Sequence, residues 1–502
     1  MSVAVAVMSL FSDWDYLQFI NVFLLFFGSY ILWWTYNEYF RWYLPPGPWG
    51  LPIIGHVLAL GENPHLTFMK MRAKYGDVFR IRLGSFPTIV VNGDESIREV
   101  TNARLGGDDF AGRPRFYLFT LRDDGLSVGR YDESWRQMKN VAVKSLHRFV
   151  NENDEDFDDL LTDEAERLVN AISRHDERPF SPKTLMIMTT GSVTYQLCYG
   201  RGHDLNGDEV FNRIMDGARE FFEFASAGNP VDVMPWLRYF MPWKTNAIRE
   251  AMSFADEISK EILANHEETF SANHTRDILD SYLALDYDKL SGIDKTRLGY
   301  TCYEFLTAGF ETTSTVSLWT MLYMIKHPDV QQKIYDEISD IVGDSRLPRI
   351  SDKSKLPFLE ATITEVMRIR TPGTLALPHA AVRDSKIGGF DVPEGTVVLL
   401  NLYSLAQDEN VWEDPHVFRP ERFLTADGQI DRSKRNLILP FSAGPRKCPG
   451  ENLAKFELFV FLASILQKFE ILPVPDVEYD MTPIHGLTDC PQIFDIIAKH
   501  RK

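Results

Sequence analysis

From Tyr16 to Asn37 the chain carries no charged side chain and is dominated by Phe, Leu, Ile, Val and Trp. At the rise of an α-helix such a stretch reaches about 33 Å, roughly one bilayer core, so the pattern predicts an N-terminal transmembrane helix. Trp33, Trp34, Tyr36, Tyr39, Trp42 and Tyr43 would form its interfacial aromatic belt. A cleaved signal peptide is the rival reading, but it requires a basic leader, and no Lys or Arg precedes Arg41. Arg41, Lys70, Arg72 and Lys74 follow the segment, which puts the N-terminus in the lumen and the bulk of the chain in the cytosol.

Pro45-Pro46-Gly47-Pro48 and Gly50-Leu51-Pro52 then forbid helix continuation and predict a stiff, extended connector. Val78–Leu83 and Thr88–Val91 are β-branched runs around Gly-Ser-Phe-Pro, which reads as a strand pair and its turn. From Asp132 to Ile341 the periodicity is mostly helical, with loops near His203–Asp208 and Gly228–Pro235. Strand-like segments return from Pro378 to Leu400, and a mixed tail follows Phe469. The fold class is therefore mostly α with a smaller β region. No linker divides it, so the organisation expected is residues 1–44 as membrane anchor, 45–52 as proline-rich hinge and 53–502 as one catalytic unit.

Lys and Arg number 53 against 71 Asp and Glu, a formal charge of −18 that argues against nucleic-acid binding through a generic basic surface. Cys198, Cys302, Cys448 and Cys490 form no zinc-type spacing, and a reducing compartment is the simpler assumption. The acidic run from Glu152 to Asp159 reads as a solvated helix start. No Walker loop or GxGxxG is present, so the chain does not visibly bind its own nucleotide or flavin.

Cys448 stands in Phe441-Ser442-Ala443-Gly444-Pro445-Arg446-Lys447-Cys448-Pro449-Gly450, a turn-rich loop leading into an apolar helix-like stretch. Helix-start N–H groups with Arg446 and Lys447 would lower the thiol pKa, and the glycines allow a flat cofactor close to the backbone. A lone cysteine is otherwise most simply a small buried hydrophobe. Within the stretch from Thr301 to Met321, read as one long buried helix, Ala308-Gly309-Phe310-Glu311-Thr312-Thr313-Ser314 sets a glycine and hydroxyls in a helix interior. Thr312 can bond back to the Ala308 carbonyl and bend the helix, although small residues also serve helix packing. Glu365 and Arg368 are three apart on one helical face, with apolar neighbours that suggest a buried pair.

The Cys448 loop matches Phe-x-x-Gly-x-Arg-x-Cys-x-Gly at every specified position, and the chain resembles the cytochrome P450 family from its first proline cluster to its end. That resemblance implies haem b between the long distal helix and the proximal Cys448 loop, with Cys448 the iron ligand. Ala308-Gly-x-Glu311-Thr312 is similar to the family's acid–alcohol motif, in which Thr312 serves oxygen activation and Glu311 brings in protons. Phe441, Gly444 and Gly450 would shape the loop, while Arg446, His379 and Trp135 would serve the haem propionates. The family helix usually reads Trp-x-x-x-Arg; here Lys139 keeps the charge without the planar fork. Pro420-Glu421-Arg422-Phe423 resembles the segment whose arginine, Arg422, closes a network with Glu365 and Arg368.

By the same resemblance the pocket would be lined by Phe110–Gly125, Phe221–Pro230, Glu304, Phe305, Ala308, Leu375–Leu377 and Ile484–Thr488. These largely apolar stretches suit a lipophilic small molecule. The resemblance is strongest to animal microsomal members, among them steroid hydroxylases and xenobiotic-oxidising enzymes. It implies a monooxygenase of the endoplasmic reticulum membrane, using O2 and NADPH electrons delivered by cytochrome P450 reductase, with cytochrome b5 as an optional second donor. Lys447, Lys455, Lys144 and Arg148 would make the docking face. A haem-thiolate isomerase or dehydratase, and a haem or steroid carrier without turnover, are the alternatives; the Glu311-Thr312 pair argues against both.

Overall fold

The computed structural model describes residues 16–39, 43–200, 209–226 and 229–501. The expected loop at His203–Asp208 and the expected topogenic Arg41 lie outside them. The first helix, α1 (Tyr16–Tyr39), leaves Phe23, Leu25, Phe26, Leu32 and Trp33 exposed. Among the described residues no helix is long and apolar enough to cross a membrane. The segment expected to span a membrane is thus a helix with exposed apolar side chains.

The proline connector is not free. Pro46 accepts a hydrogen bond from the Arg80 N–H at 2.9 Å, and a Cβ on Gly47 would fall 2.1 Å from the Arg80 carbonyl oxygen. It is strapped to β1 (Val78–Leu83), which follows α2 (Pro64–Tyr75) and pairs antiparallel with β2 (Phe86–Val91). The turn is shorter than expected: Gly84, at φ 54°, and Ser85 form it, while Phe86 and Pro87 already belong to the strand. After α3 (Asp94–Thr101) the main helices follow: α4 (Glu133–Phe149), α5 (Glu155–Ser173), α6 (Lys183–Tyr199), α7 (Glu209–Ser226) and α8 (Pro242–Thr269). Part of the expected loop near Gly228–Pro235 is helical, because Asn229 caps a short turn over Pro230–Val233. The acidic run does more than solvate: Asp154 caps α5, and Asp158 and Asp159 hold Arg349 at 3.1 and 3.0 Å.

The centre is α9 (Lys295–Lys326), opened by the Asp294 cap and stopped before Pro328, where α10 (Pro328–Ile341) begins. It packs along α6 and, like α11 (Pro357–Ile369), is buried over most of its length. Strands β3 (His379–Ala380), β4 (Ser385–Ile387), β5 (Phe390–Val392) and β6 (Val397–Leu400) occupy the expected Pro378–Leu400 region. β6 runs parallel to β2, Val91 opposite Leu400, and the sheet order is β1-β2-β6-β3. Finally, α12 (Glu451–Lys468) is apolar all round from Leu458 to Leu466 apart from Ser464, which makes it a core helix, and β7 (Phe469–Pro473) pairs with β8 (Ile496–His500).

Candidate active site

The Cys448 loop is held by its own backbone. The Cys448 N–H donates to the Phe441 carbonyl at 2.9 Å. Gly444 has φ 72°, and a Cβ there would lie 1.7 Å from the Thr101 carbonyl oxygen, so only glycine fits. Gly450 precedes α12, where a Cβ would stand 4.0 Å from the Cys448 sulfur. Phe441 lies beneath the Lys455 ammonium. Cys448 is exposed, yet burial is the first cause raising its thiol pKa; an accessible sulfur so closely surrounded lines a hollow in the protein. The expected lowering by Arg446 is corrected. The Gly450 N–H and Lys447 pull the pKa down, but Arg446 points elsewhere and burial outweighs them. A metal bound to this sulfur would supply the ionisation, since coordination deprotonates a thiol outright.

Arg446 donates to three carbonyls, Ala111 at 2.8 Å, Leu126 at 3.2 Å and Gly129 at 2.5 Å, and its guanidinium stacks 3.8 Å over the buried Trp135 ring. Trp135 donates its Nε1–H to the same Leu126 carbonyl at 2.9 Å. Lys139 is committed to the Pro445 carbonyl of the ligand loop. His379 is buried beside them and, because a carbonyl only accepts, donates its Nδ1–H to Phe110 at 2.8 Å. Burial, then the positive Arg113, depresses its pKa to about 3.

Arg113 was not foreseen. Its guanidinium donates to Ser127, Leu377 and Pro378 carbonyls at 2.9, 2.8 and 2.9 Å, and burial followed by Arg446 pushes its pKa well down. Its one mark in the sequence is a cation set inside the apolar Phe110–Gly125 stretch. Arg113 and Arg446 thus concentrate positive charge beside His379, with no carboxylate ion-paired to either guanidinium among the described residues. Such a cradle suits a dianionic group.

On α9 the Thr312 hydroxyl donates to the Ala308 carbonyl at 3.0 Å, as the sequence suggested. Ala308 is exposed in the middle of an otherwise buried helix, so it too borders a hollow. Gly309 has a packing role: a Cβ would meet the Thr194 hydroxyl of α6 at 2.8 Å. Glu311 stands 3.5 Å from the thiol of Cys490, which also touches Thr315 at 3.2 Å and Thr488 at 3.3 Å. Nothing local in the sequence announced that contact across 179 residues.

The family model for cytochrome P450 matches residues 45–491. The chain belongs to the cytochrome P450 family. It is 35% identical over 461 residues to cytochrome P450 1A1 of Macaca mulatta, covering 88% of this chain and 90% of the relative. Cytochrome P450 1A1 of Homo sapiens is 36% identical with the same coverage, and that of Rattus norvegicus 35% identical over 87% of its length. This P450 is accordingly a haem-thiolate monooxygenase, an oxidoreductase that uses haem b with a cysteine thiolate ligand and dioxygen. The residues present fit that group: an accessible sulfur, a glycine-shaped loop and a buried cationic cradle for two propionates.

Two further features of the P450 brace the site. Glu365 and Arg368 are fully buried; the carboxylate accepts from Arg368 at 2.7 and 2.9 Å, from Arg422 at 3.0 Å and from the Arg419 N–H at 2.9 Å. The surplus positive charge is shared with carbonyls, including Ala406 at 2.6 Å and Val417 at 2.9 Å. Glu304, expected to line the pocket, instead spends its carboxylate on the loop below: it accepts from the Leu126 and Ser127 N–H groups at 2.7 and 3.0 Å and from the Ser127 hydroxyl at 2.5 Å. Since Leu126 also serves Arg446 and Trp135, Glu304 ties α9 to the cation cradle.

Proposed function

We propose that this P450 hydroxylates a lipophilic small molecule, RH + O2 + NADPH + H+ → ROH + H2O + NADP+, with Cys448 as the iron ligand. The accessible Cys448 thiol in its glycine-shaped loop carries this reading. Haem b held there supplies reductive activation of dioxygen and insertion of one oxygen atom into a C–H bond. Phe441, Gly444 and Gly450 hold the sulfur in place, and Arg446, Trp135 and His379, joined by Arg113, anchor the propionate edge. Lys139 supports that edge through Pro445 rather than by its own charge. On the opposite face Glu311 passes protons inward and the Thr312 hydroxyl holds them where dioxygen is reduced. The pocket beyond accepts a steroid, lipid or xenobiotic. The test is a screen of lipophiles for a haem spin-state shift, then for NADPH-dependent product with added reductase; no shift with any ligand that is turned over contradicts the reading.

Thr312→Ala is expected to uncouple the enzyme, with NADPH still consumed and hydrogen peroxide rising as product falls about a hundredfold, the lower end of the usual scale of a lost proton-transfer group. Product per NADPH at the wild-type value would make Thr312 a packing residue.

Electrons arrive, in this proposal, from NADPH-cytochrome P450 reductase, with cytochrome b5 as a second donor, at the face carrying Cys448. A cleft of about 320 Å³ beside Phe441 to Ala443 is rimmed by Arg98, Lys353, Arg435, Lys447 and Lys455. Lys447 and Lys455 share Glu451 in close ion pairs, which blunts their charge, whereas Lys144 and Arg148 on α4 are exposed. Reversing both charges is expected to slow the first electron transfer at low salt and leave substrate-induced spectra intact. Equal reduction rates across a salt series reject this docking face.

For location, α1 exposes apolar side chains all round, and Trp236, Tyr239, Phe240 and Trp243 form a second exposed apolar group. Apolar surface of this kind belongs against a membrane. Residues 1–44 as anchor, 45–52 as hinge and 53–502 as a cytosolic catalytic unit on the endoplasmic reticulum remain the organisation proposed.

A further inference from the structure

Two groups of side chains that take no part in the Cys448 loop or the cation cradle bring metal-ligating atoms within 4.8 Å of one another: His65, His485 and Asp489, of which His485 belongs to a stretch expected to line the pocket, and His266, Asp277 and Asp280. They differ in how far their donors are already used. In the second, Arg276 takes the Asp280 carboxylate with paired bonds of 2.7 and 2.8 Å, and His266 is bonded to Asp277 at 3.1 Å. That group is satisfied as it stands. In the first, the His65 side chain is 3% exposed, its Nδ1 has no hydrogen-bond partner, and its Nε2 stands 3.8 Å from Asp489 Oδ2, beyond hydrogen-bond reach. A buried imidazole left unengaged beside a carboxylate is costly unless something else binds there.

We infer that His65, His485 and Asp489 form a binding site for a divalent cation of the zinc class. Two imidazoles and one carboxylate are a donor set zinc accepts, with a fourth position left for water. Bonds of about 2.0–2.1 Å in a tetrahedron put neighbouring donors about 3.3 Å apart. Asp489 Oδ1 lies 2.6 Å from His485 Nδ1 and Asp489 Oδ2 lies 3.8 Å from His65 Nε2, and one donor atom from each residue falls within 4.8 Å of the others, so side-chain adjustments of about an ångström bring them to that spacing. The His65 and His485 ring centroids lie 5.3 Å apart, close enough to share one ion.

The donors are also pre-positioned. Ile484 and Cys490 exchange backbone hydrogen bonds at 2.8 and 3.1 Å, which closes the loop carrying His485 and Asp489. The Asp489 N–H donates to Pro372 at 3.0 Å, and its carbonyl accepts the Trp319 indole N–H at 2.7 Å. Burial, opposed by Asp489 and assisted by His485, holds the His65 pKa to about 4, so its lone pair is free at neutral pH. His485, with 19% of its side chain exposed, gives the ion an entry path and a solvent-facing coordination position. Occupancy would clamp α2 to the segment whose next residue, Cys490, touches Glu311.

The test uses the haem-loaded full chain, equilibrated with zinc and separated by gel filtration, with retained metal counted by mass spectrometry. One equivalent is expected in the wild type and after His266→Ala, with affinity weakened at least about tenfold in His485→Ala and in Asp489→Asn. Zinc-edge X-ray absorption of the wild type, where haem iron does not interfere, should show a shell with two imidazoles, and this reading stands even if a variant folds poorly. No retained zinc, retention unchanged in both variants, or a shell lacking imidazole overturns the proposal and leaves a His485–Asp489 hydrogen bond packed beside His65. Because no step depends on oxygenation, failure here leaves the monooxygenase reading untouched.

Discussion

Cys448→Ala is expected to abolish turnover and to remove the red-shifted Soret band that a thiolate gives the ferrous carbonyl complex. The other cysteines offer no substitute. Cys198 and Cys302 are buried against each other, with the Cys198 thiol 3.7 Å from the Cys302 carbonyl, and Cys490 sits among Glu311, Thr315 and Thr488. Cys448 alone is exposed and stands in a glycine-shaped loop. Alanine removes a small side chain without disturbing the backbone bond from Cys448 to Phe441, so the fold should survive. Absorption spectra of the reduced protein under carbon monoxide check this, and an unchanged red-shifted band in the variant would assign the ligand elsewhere.

Glu365→Ala is expected to destabilise the protein by about 3–5 kcal/mol, or to stop haem-loaded protein from accumulating at all, because it leaves buried cations uncompensated. Arg368 has no exposed surface and Arg422 only 7%. Both lose their shared acceptor, and the Arg419 N–H loses its partner as well. Glu365→Gln, which keeps an acceptor but not the charge, should fall between. Denaturant titration of the three proteins, followed by haem absorbance and by circular dichroism, measures the order. Equal midpoints would mean that the carbonyls of Ala406, Val417 and their neighbours carry the arginines without the carboxylate.

What the sequence revealed was what lies close together along it. The ligand loop is ten consecutive residues, Glu365 and Arg368 share a helical turn, and Thr312 bonds within its own helix. Each contact leaves a mark in spacing. Arg113, by contrast, reaches carbonyls 264 and 265 residues away, and Glu304 reaches back 178 residues to Leu126. A bond to a distant main chain imposes no pattern on the residues it joins. The electrostatic reading of Arg446 failed for a related reason: position two residues before Cys448 suggested a charge acting on sulfur, while three carbonyls and the Trp135 face turn it away. At Gly309 the packing use of small residues, which the sequence left open, is the one seen, because Thr194 of α6 comes closest there. The N-terminal segment was legible in the same way, since an uncharged run from Tyr16 to Asn37 marks a helix, and that helix exposes its apolar side chains.

The most direct measurement of the central claim is turnover of a spectrally identified lipophile under isotopically labelled dioxygen, with reductase and NADPH supplied and Cys448→Ala run beside the wild type. One labelled oxygen in each hydroxylated product, and none from the variant, is the expected result. Product oxygen drawn from water, or labelled product from Cys448→Ala, would contradict a monooxygenase built on that thiolate.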